Sequence, residues 1–223
     1  METKALLFDF DGTLVDSMPF YAKIMTDILD KRGVPYGDDL IKTITPLGFL
    51  GTARYYTEVL GVDATEEELA HEMKGVAVYE YANNIPAKQN VLRVLRALKA
   101  QGFDLNVLTA SSHASLDPCL TRLGVFDLFS HVWSCDDFAT TKADPAIYHM
   151  AAERMGYAVE DVVFFDDNYN ADATAKAAGM QVVGVYDPSS EEDADNIRAV
   201  TDHYIRDFAE ILTLFGLEAE DEH

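Results

Sequence analysis

The sequence lacks the features that define several large classes of protein. It contains only two cysteines, Cys119 and Cys135, and no Cys-x-x-Cys arrangement. This argues against a disulfide framework or a zinc ribbon and favours a reducing compartment, the cytoplasm. No run of 18 or more apolar residues is present that could form a membrane-spanning helix. The opening METKALLFDF mixes acidic and basic residues and leads straight into an apolar run, so we expect no signal peptide.

Positive charge is also scarce. The chain has 17 Lys and Arg residues against 39 Asp and Glu residues, which gives a formal net charge of −22. Because a chain this acidic is repelled by nucleic acids and anionic membranes, we expect neither as a partner. Any phosphate-binding site must therefore supply its own cations. The 223 residues, 48% of them hydrophobic, suffice for one or two globular domains, and they carry no signal for an oligomeric state.

The stretch at 5–17, ALLFDFDGTLVDS, organises the rest of the chain. An apolar run followed by an acidic turn predicts a buried strand that ends in a loop. Asp9 and Asp11 are two residues apart, so in an extended segment their side chains point the same way. Two such carboxylates repel each other unless a cation or a proton lies between them. Gly12 allows the sharp turn that brings the backbone close to a ligand.

An all-helical block follows this first strand. Helical spacing and breaker residues predict helices at about 18–32, 38–45, 48–60 and 65–83. Ser17 is the candidate N-cap of the first helix, and Thr65 with Glu68 forms a capping box for the last. We therefore predict an inserted helical domain at 16–84, and a core domain made of 1–15 and 85–223.

Strands and helices alternate after residue 89. Strands are predicted at 104–108, 131–134, 161–165 and 181–185, and helices at 91–102, 114–123, 145–155, 171–178 and 203–215. This alternation predicts an α/β fold with a doubly wound parallel sheet. The acidic tail EAEDEH is expected to fray.

Polar residues follow four of the predicted elements of this core. They are the pair Asp9 and Asp11, then Thr109, the stretch around Lys142, and the pair Asp166 and Asp167. A parallel sheet brings the carboxyl ends of its strands to one edge, where ligands bind. We therefore expect these distant residues to converge on one site.

Taken together, the motifs resemble the signature of the haloacid dehalogenase superfamily of phosphohydrolases. DFDGTLVDS at 9–17 fills every fixed position of the pattern DxDGTLxDS. VLTAS at 107–111 is similar to the second family motif, and Lys142 before PAIY at 145–148 is similar to the third. VVFFDDNYNAD at 162–172 resembles the fourth. The helical insert looks like the small cap domain of the β-phosphoglucomutase-like and phosphoglycolate phosphatase-like branch.

This resemblance implies a phosphatase that hydrolyses a phosphomonoester of a small metabolite with Mg²⁺. Asp9 is the candidate nucleophile, because carboxylates can form aspartyl-phosphate intermediates. Asp11 is the candidate general acid and base. Thr109 offers a hydroxyl donor, and Lys142 would offset the clustered negative charge and contact the phosphate.

Three further residues are candidate substrate contacts. Ala110 offers its backbone N–H beside Thr109, and Ser111 follows it. Arg54 is the cap cation that we expect to meet the substrate when the cap closes over the site. Glu58, at i+4 on the same predicted helix, is an alternative partner for Arg54.

Mg²⁺ prefers hard oxygen ligands. The candidate ligands are Asp9, the carbonyl of Asp11 and an acid from the fourth motif. Asp167 is the first choice among these acids and Asp166 the second, with Asp172 as an outer-shell or helix-cap residue.

The sequence departs from the family pattern at two positions. Ala143 replaces a proline that is frequent after the lysine of the third motif, and Ala171 occupies the slot of the second acid in GDxxxD. The first change loosens a loop but keeps the lysine, and the second leaves the last metal ligand open.

Several rival functions remain to be weighed. A dehalogenase or a phosphonate hydrolase is disfavoured, because the relatives with those activities lack the acid at the Asp11 position. A phosphosugar mutase shares all the motifs and stays open, with Arg54 and Lys42 as candidate cap cations. A non-enzymatic receiver-like phospho-acceptor module would need an acid at the strand exit where Thr109 lies.

Overall fold

The computed structural model describes residues 5–217, and it divides the chain into two compact units. One contains the chain up to Asp16 and from Pro86 onward, and the other is Ser17–Ile85. The acidic tail EAEDEH lies outside the described residues. The predicted domain boundaries fall one residue before these limits. That the two units are independent domains stays a prediction.

The unit Ser17–Ile85 is helical and has its own apolar core. It contains α1 (Met18–Asp30), α2 (Leu40–Ile44), a 3₁₀ turn (Thr45–Leu47), α3 (Gly48–Glu58) and α4 (Glu66–Asn83). Fully buried Met25, Leu29, Tyr56 and Leu69 belong to one hydrophobic cluster that joins α1, α3 and α4. The Tyr56 hydroxyl donates to the carbonyl of Met25 at 2.9 Å, which satisfies its one polar atom inside this core.

The two predicted helix caps have different outcomes. Thr65 and Glu68 form a capping box, in which the Glu68 N–H donates to the Thr65 hydroxyl at 3.2 Å and the Thr65 N–H donates to the Glu68 carboxylate at 2.9 Å. Ser17 lies at the N-cap position of α1, as predicted, but its side chain makes no capping hydrogen bond. Its backbone has a helical ψ of −22° rather than the extended conformation that directs a cap side chain to the helix N–H groups.

The other unit is built on a six-stranded parallel sheet. Its strands are β1 (Ala5–Phe8), β2 (Asp104–Thr109), β3 (Phe129–Ser134), β4 (Val162–Asp166), β5 (Gln181–Val185) and β6 (His203–Ile205). The order is β3-β2-β1-β4-β5-β6. β1 and β4 are buried along their whole length, as expected for central parallel strands with near-continuous apolar sequences. The predicted α/β fold with a doubly wound sheet and an inserted helical segment is confirmed.

Among the described residues, six α-helices accompany this sheet. They are α5 (Val91–Ala100), α6 (His113–Arg122), α7 (Ala146–Met155), α8 (Tyr169–Ala178), α9 (Ala194–Val200) and α10 (Glu210–Leu214). The predicted helix at 203–215 is wrong in its first part, because residues 203–205 form β6 and pair with Val183, Gly184 and Val185. Pairing at the sheet edge favours a strand for His-Tyr-Ile, and this tertiary contact overrides the local pattern.

The strand order reverses next to β1, whose neighbours are β2 and β4. In open α/β sheets, the crevice beyond the carboxyl ends of the strands at such a switch point binds ligands. The Asp9 N–H donates to the carbonyl of Phe165 at 2.8 Å, so the exits of β1 and β4 lie side by side. Within residues 5–217, no helix is long and apolar enough to cross a membrane.

Candidate active site

Three acidic side chains and one lysine meet at this switch point. Lys142 donates from its Nζ to the carboxylate of Asp9 and to Asp166 Oδ2, the latter at 2.8 Å. Asp9, Asp166 and Asp167 are buried, and each offers a carboxylate oxygen within 4.8 Å of the others. The structure therefore brings together residues separated by more than 130 positions in the sequence, as the convergence of strand ends predicts.

Gly12 lets the chain turn tightly against one of these acids. Its φ is +74°, and a Cβ atom there would lie 2.5 Å from Asp167 Oδ2. Both the left-handed backbone and the lack of space require glycine. The next residue, Thr13, donates from its hydroxyl to Asp167 Oδ1 at 3.2 Å. The turn after β1 thus packs directly against Asp167.

The clustered carboxylates perturb one another. Burial raises the pKa of Asp9 to about 7, with Lys142 opposing this and with Asp166 and Asp11 adding to it. Burial, followed by the charges of Asp166 and Asp9, raises the pKa of Asp167 well above its usual range. Repulsion between these carboxylates thus adds to the effect of burial. A divalent cation would relieve that repulsion.

Lys142 is held as a cation between its acidic partners. Burial alone lowers its pKa, but the charges of Asp166 and Asp9 outweigh this and raise the pKa well above the usual value. The hydroxyl of Tyr148 lies 3.1 Å from the carbonyl oxygens of both Lys142 and Ala171. This buried tyrosine therefore ties the lysine loop to α8.

The second motif forms its own hydrogen-bonded turn. The Ser111 N–H donates to the Thr109 hydroxyl oxygen at 3.0 Å, which leaves the hydroxyl hydrogen to be donated elsewhere. The Ser111 hydroxyl donates to Asp11 Oδ2 at 2.6 Å. Thr109 is buried, whereas Ala110 is exposed. Ser111, predicted as a substrate contact, thus orients Asp11 in this structure.

The two acids of the fourth motif differ in their partners. Asp166 accepts from Lys142 with Oδ2 and from the Asn168 N–H with Oδ1, the second bond being 2.8 Å long. Asp167 accepts from two hydroxyls, those of Thr13 at 3.2 Å and Ser190 at 3.3 Å. Among the described residues no lysine or arginine forms an ion pair with Asp167. Its charge is therefore the less compensated of the two.

Asp172 is fully buried, and neither of its oxygens has a hydrogen-bond partner among residues 5–217. Burial, with the charge of Asp166 next in importance, raises its pKa to about 10. Asn168 caps α8 by accepting from the N–H groups of Asn170 and Ala171 at 3.0 and 3.2 Å. The hypothesis that Asp172 caps this helix is therefore wrong.

Arg54 belongs to the helical unit and has a partner there. Its Nε donates to Glu66 Oε2 at 3.3 Å, and its side chain is 58% exposed. The partner is thus an acid at the start of α4 rather than Glu58. A role for Arg54 in binding substrate stays a prediction.

Residues that no sequence motif indicated also support the site. Lys88 donates from Nζ to the carbonyl of Gly12, to that of Tyr186 at 2.7 Å and to Asp187 Oδ2 at 2.9 Å. Ser190 reaches Asp167 from the loop after β5. Two of the three Lys88 partners are main-chain atoms, which leave no residue-type signal in the sequence.

Comparison with known proteins finds phosphatases and a structure of the same fold. A phosphoglycolate phosphatase of Colwellia psychrerythraea is 31% identical over 196 residues, covering 82% of this chain and 84% of that protein. A validoxylamine A 7′-phosphate phosphatase of Streptomyces hygroscopicus subsp. limoneus is 26% identical over 211 residues, covering 93% and 95%. The crystal structure of a candidate β-phosphoglucomutase from Thermotoga maritima superposes with a TM-score of 0.80 at 24% identity, covering 95% and 98%.

The sequence model of the haloacid dehalogenase-like hydrolase family matches residues 3–179 of this chain. The matched range includes all four motifs. The resemblance inferred from those motifs is thereby confirmed, and so is the prediction that the protein is an enzyme. The family match covers most of the chain, and the parallel sheet and the convergence of the motif residues agree with it. This chain therefore belongs to the haloacid dehalogenase-like hydrolase family.

Proposed function

We propose that the protein is a Mg²⁺-dependent phosphatase that hydrolyses a small phosphorylated metabolite through a phosphorylated Asp9. The observation that carries this proposal is the cluster of Asp9, Asp166 and Asp167 around Lys142 at the switch point of the sheet. Phosphoryl transfer needs an in-line nucleophile and compensation of charge on the phosphate oxygens. Asp9 would supply the nucleophile, and Lys142 with a bound cation would compensate the charge.

In the first step, a carboxylate oxygen of Asp9 attacks phosphorus and the bond from phosphorus to the ester oxygen breaks. Asp11 donates a proton to the leaving alcohol. In the second step, Asp11 accepts a proton from water as that water attacks the phosphorus of the acyl phosphate. This releases inorganic phosphate and restores the Asp9 carboxylate. The hydrogen bond from Ser111 holds Asp11 in place for both proton transfers.

The residues present fit a divalent cation. The Asp9 carboxylate, the Asp11 carbonyl and Asp167 would hold it, because Asp167 is the acid of the fourth motif without a cationic partner among the described residues. When bound, Mg²⁺ supplies positive charge to the phosphate oxygens and to the carboxylates around it. Asp166 is then the counter-ion of Lys142.

Three donors would bind the phosphoryl oxygens. Thr109 contributes its hydroxyl, whose oxygen already accepts from the Ser111 N–H. Ala110 contributes its exposed backbone N–H, and Lys142 contributes its ammonium group. Such preorganised donors stabilise the charge that develops in the transition state.

The names of the relatives support a small phosphate ester as the class of substrate. They are named for phosphoglycolate and for validoxylamine A 7′-phosphate, which differ widely in the group that bears the phosphate. We therefore assign the substrate as a small phosphorylated metabolite, and we place the enzyme in the cytoplasm. Arg54 and Lys42 are the cap cations proposed to contribute specificity.

The direct test is release of phosphate from p-nitrophenyl phosphate by the purified protein. We expect turnover with Mg²⁺ that EDTA abolishes and added Mg²⁺ restores. A receiver-like module would become phosphorylated without turning over. Absence of turnover with this ester and with a panel of phosphorylated metabolites would contradict the proposal.

A further inference from the structure

Asp167 is held from both sides by segments that are distant in sequence. Its Oδ1 accepts from Thr13, in the turn after β1, at 3.2 Å. Its Oδ2 accepts at 3.3 Å from Ser190, in the loop after β5, which contains the 3₁₀ turn Pro188–Asp193. Two hydroxyl donors, one on each oxygen, fix the plane of the carboxylate. The orientation of Asp167 therefore depends on how these two segments are placed.

Lys88 joins the same two segments. Its ammonium group donates to the carbonyl of Gly12 in the turn. It also donates to the Tyr186 carbonyl at 2.7 Å and to Asp187 Oδ2 at 2.9 Å in the loop after β5. An ammonium group has three N–H donors, so all three are used in this one junction.

The junction is built as part of the interior rather than as a surface contact. The side chains of Lys88 and Asp187 are only 18% and 2% exposed. The other oxygen of Asp187 accepts from the N–H and the hydroxyl of Ser189 at 2.9 and 2.6 Å. Burial raises the pKa of Asp187, but the bonds from Ser189 and Lys88 outweigh this and hold the pKa below its usual range.

The backbone of Lys88 is fixed to the turn as well. Its N–H donates to the carbonyl of Leu14 at 3.0 Å, and the Asp16 N–H donates to the carbonyl of Pro86 at 3.0 Å. The segment 86–88 therefore runs beside residues 14–16 of the first motif. A lysine anchored in this way has little freedom to release the Gly12 carbonyl.

These contacts close a ring around the proposed metal ligand. The ring runs from Lys88 through the Gly12 turn and Thr13 to Asp167, and back through Ser190 and Asp187. We propose that Lys88 is a positioning residue that fixes the Asp167 carboxylate for a divalent cation. This inference rests on the proposed function, in which Asp167 is a metal ligand.

The expected effect of breaking the ring is large. Hydrogen-bonded groups behind a metal ligand typically change metal affinity or activity by about 10–100-fold when they are removed. Lys88→Met removes the ammonium group and keeps most of the side-chain volume. The turn and the loop then lose their common donor, and Asp167 loses its fixed orientation.

The test is calorimetric titration of Mg²⁺ into the purified protein without substrate. We expect the Kd of Lys88→Met to rise about 10-fold or more above that of the wild type. Lys176→Met is the matched control, because Lys176 forms an ion pair with Asp202 at 2.5 Å and Asp202 also accepts from the Val182 N–H at 2.8 Å. Lys176 lies in α8 and Asp202 lies just before β6, both outside the ring, so the Kd of Lys176→Met should stay within about twofold of the wild-type value.

A second variant covers the case in which Lys88→Met fails to fold. Ser190→Ala removes one hydroxyl from a half-buried part of the ring and should raise the Kd about fivefold, as expected for the loss of one hydrogen bond of about 1 kcal/mol. Where both variants fold, the double variant should lose less affinity than the product of the single losses, because both act through Asp167.

The outcomes separate this inference from the proposed function. If the wild type binds no Mg²⁺, or if Asp167→Asn binds it as tightly as the wild type, the proposed metal site is wrong and the ring has no such role. If the wild type binds Mg²⁺ through Asp167 but Lys88→Met and Ser190→Ala bind it equally well, the metal site stands and the positioning role of Lys88 is refuted.

Discussion

The two adjacent acids at the exit of β4 illustrate how partners decide the role of a residue. Asp166 is neutralised by Lys142 and accepts a backbone N–H, so it acts as a counter-ion. Asp167 has hydroxyl donors on both oxygens, and among the described residues no lysine or arginine forms an ion pair with it. A divalent cation is therefore attracted more strongly to the Asp167 carboxylate than to the Asp166 carboxylate, which Lys142 already neutralises.

This difference predicts unequal effects on Mg²⁺ activation. Asp167→Ala should raise the Mg²⁺ concentration for half-maximal phosphatase activity by about 10-fold or more, because a direct ligand is lost. Asp172→Ala should change it by less than about threefold, because Asp172 is not among the three acids whose carboxylate oxygens lie within 4.8 Å of one another. Mg²⁺ titrations of both variants at pH 7 measure this. A larger effect from Asp172→Ala would reverse the assignment.

Among individual site residues, the sequence predicted those whose side chains belong to a recognisable motif. Asp9, Asp11, Thr109 and Lys142 stand in recognisable motifs after predicted strands, and the structure places their side chains or hydrogen bonds at one edge of the sheet. Lys88 could not be found in the same way. It binds mainly main-chain carbonyls, and any residue type can supply those.

Among the elements, α6 and the 3₁₀ turn Cys135–Phe138 are linked by a charged contact beside the site. His113, the first residue of α6, lies 2.8 Å from Asp117 through Nδ1 and 2.8 Å from Asp137 through Nε2. The hydrogen bonds to Asp117 and then Asp137 raise the pKa of His113. The contact joins the helix that follows the second motif to the turn that precedes Lys142.

This contact predicts a pH-dependent contribution to stability. A raised histidine pKa favours the folded state below the unfolded pKa of about 6.5, and the contribution is lost as the pH rises through the folded value. His113→Gln should therefore lower Tm at pH 6 and have little effect at pH 9. Because the side chain is 41% exposed, we expect a loss below about 1 kcal/mol. An equal loss of Tm at both pH values would show that protonation is not involved.

The elements also show where local sequence patterns were insufficient. The capping box of α4 was predictable because Thr65 and Glu68 act within one turn of chain. The edge strand β6 was not, because His203 and its neighbours become a strand only by pairing with β5. Local chemistry fixes a helix start, whereas an edge strand depends on a partner elsewhere in the chain.

At the scale of the whole molecule, a strongly acidic chain has to bind an anionic substrate. The net charge is −22, and the core unit places Lys142 and Lys88 at or next to the cluster of acids. In the helical unit, Arg54 contacts Glu66 at 3.3 Å and its side chain is 58% exposed. We keep it as the proposed specificity residue for the part of the substrate beyond the phosphate.

This proposal predicts a substrate-dependent effect. Arg54→Ala should raise KM for the physiological substrate by about 10-fold, a typical loss for a hydrogen bond to a charged group. It should leave KM for p-nitrophenyl phosphate almost unchanged. Arg32→Ala is the matched control, because Arg32 forms an ion pair with Glu72 at 2.5 Å in the same unit. Equal effects of Arg54→Ala on both substrates would indicate a structural role.

The covalent role of Asp9 is the central claim, and the turnover of Asp9→Asn tests it most directly. The variant should keep the fold, shown by an unchanged circular dichroism spectrum, because Asn has nearly the same shape as Asp. Asp104→Asn, at the amino end of β2, is the control and should retain full activity. With p-nitrophenyl phosphate and saturating Mg²⁺, we expect kcat of Asp9→Asn to fall below the limit of detection, because an amide oxygen does not form the acyl phosphate. Retention of a tenth of the wild-type Mg²⁺-dependent kcat would contradict the aspartyl-phosphate mechanism.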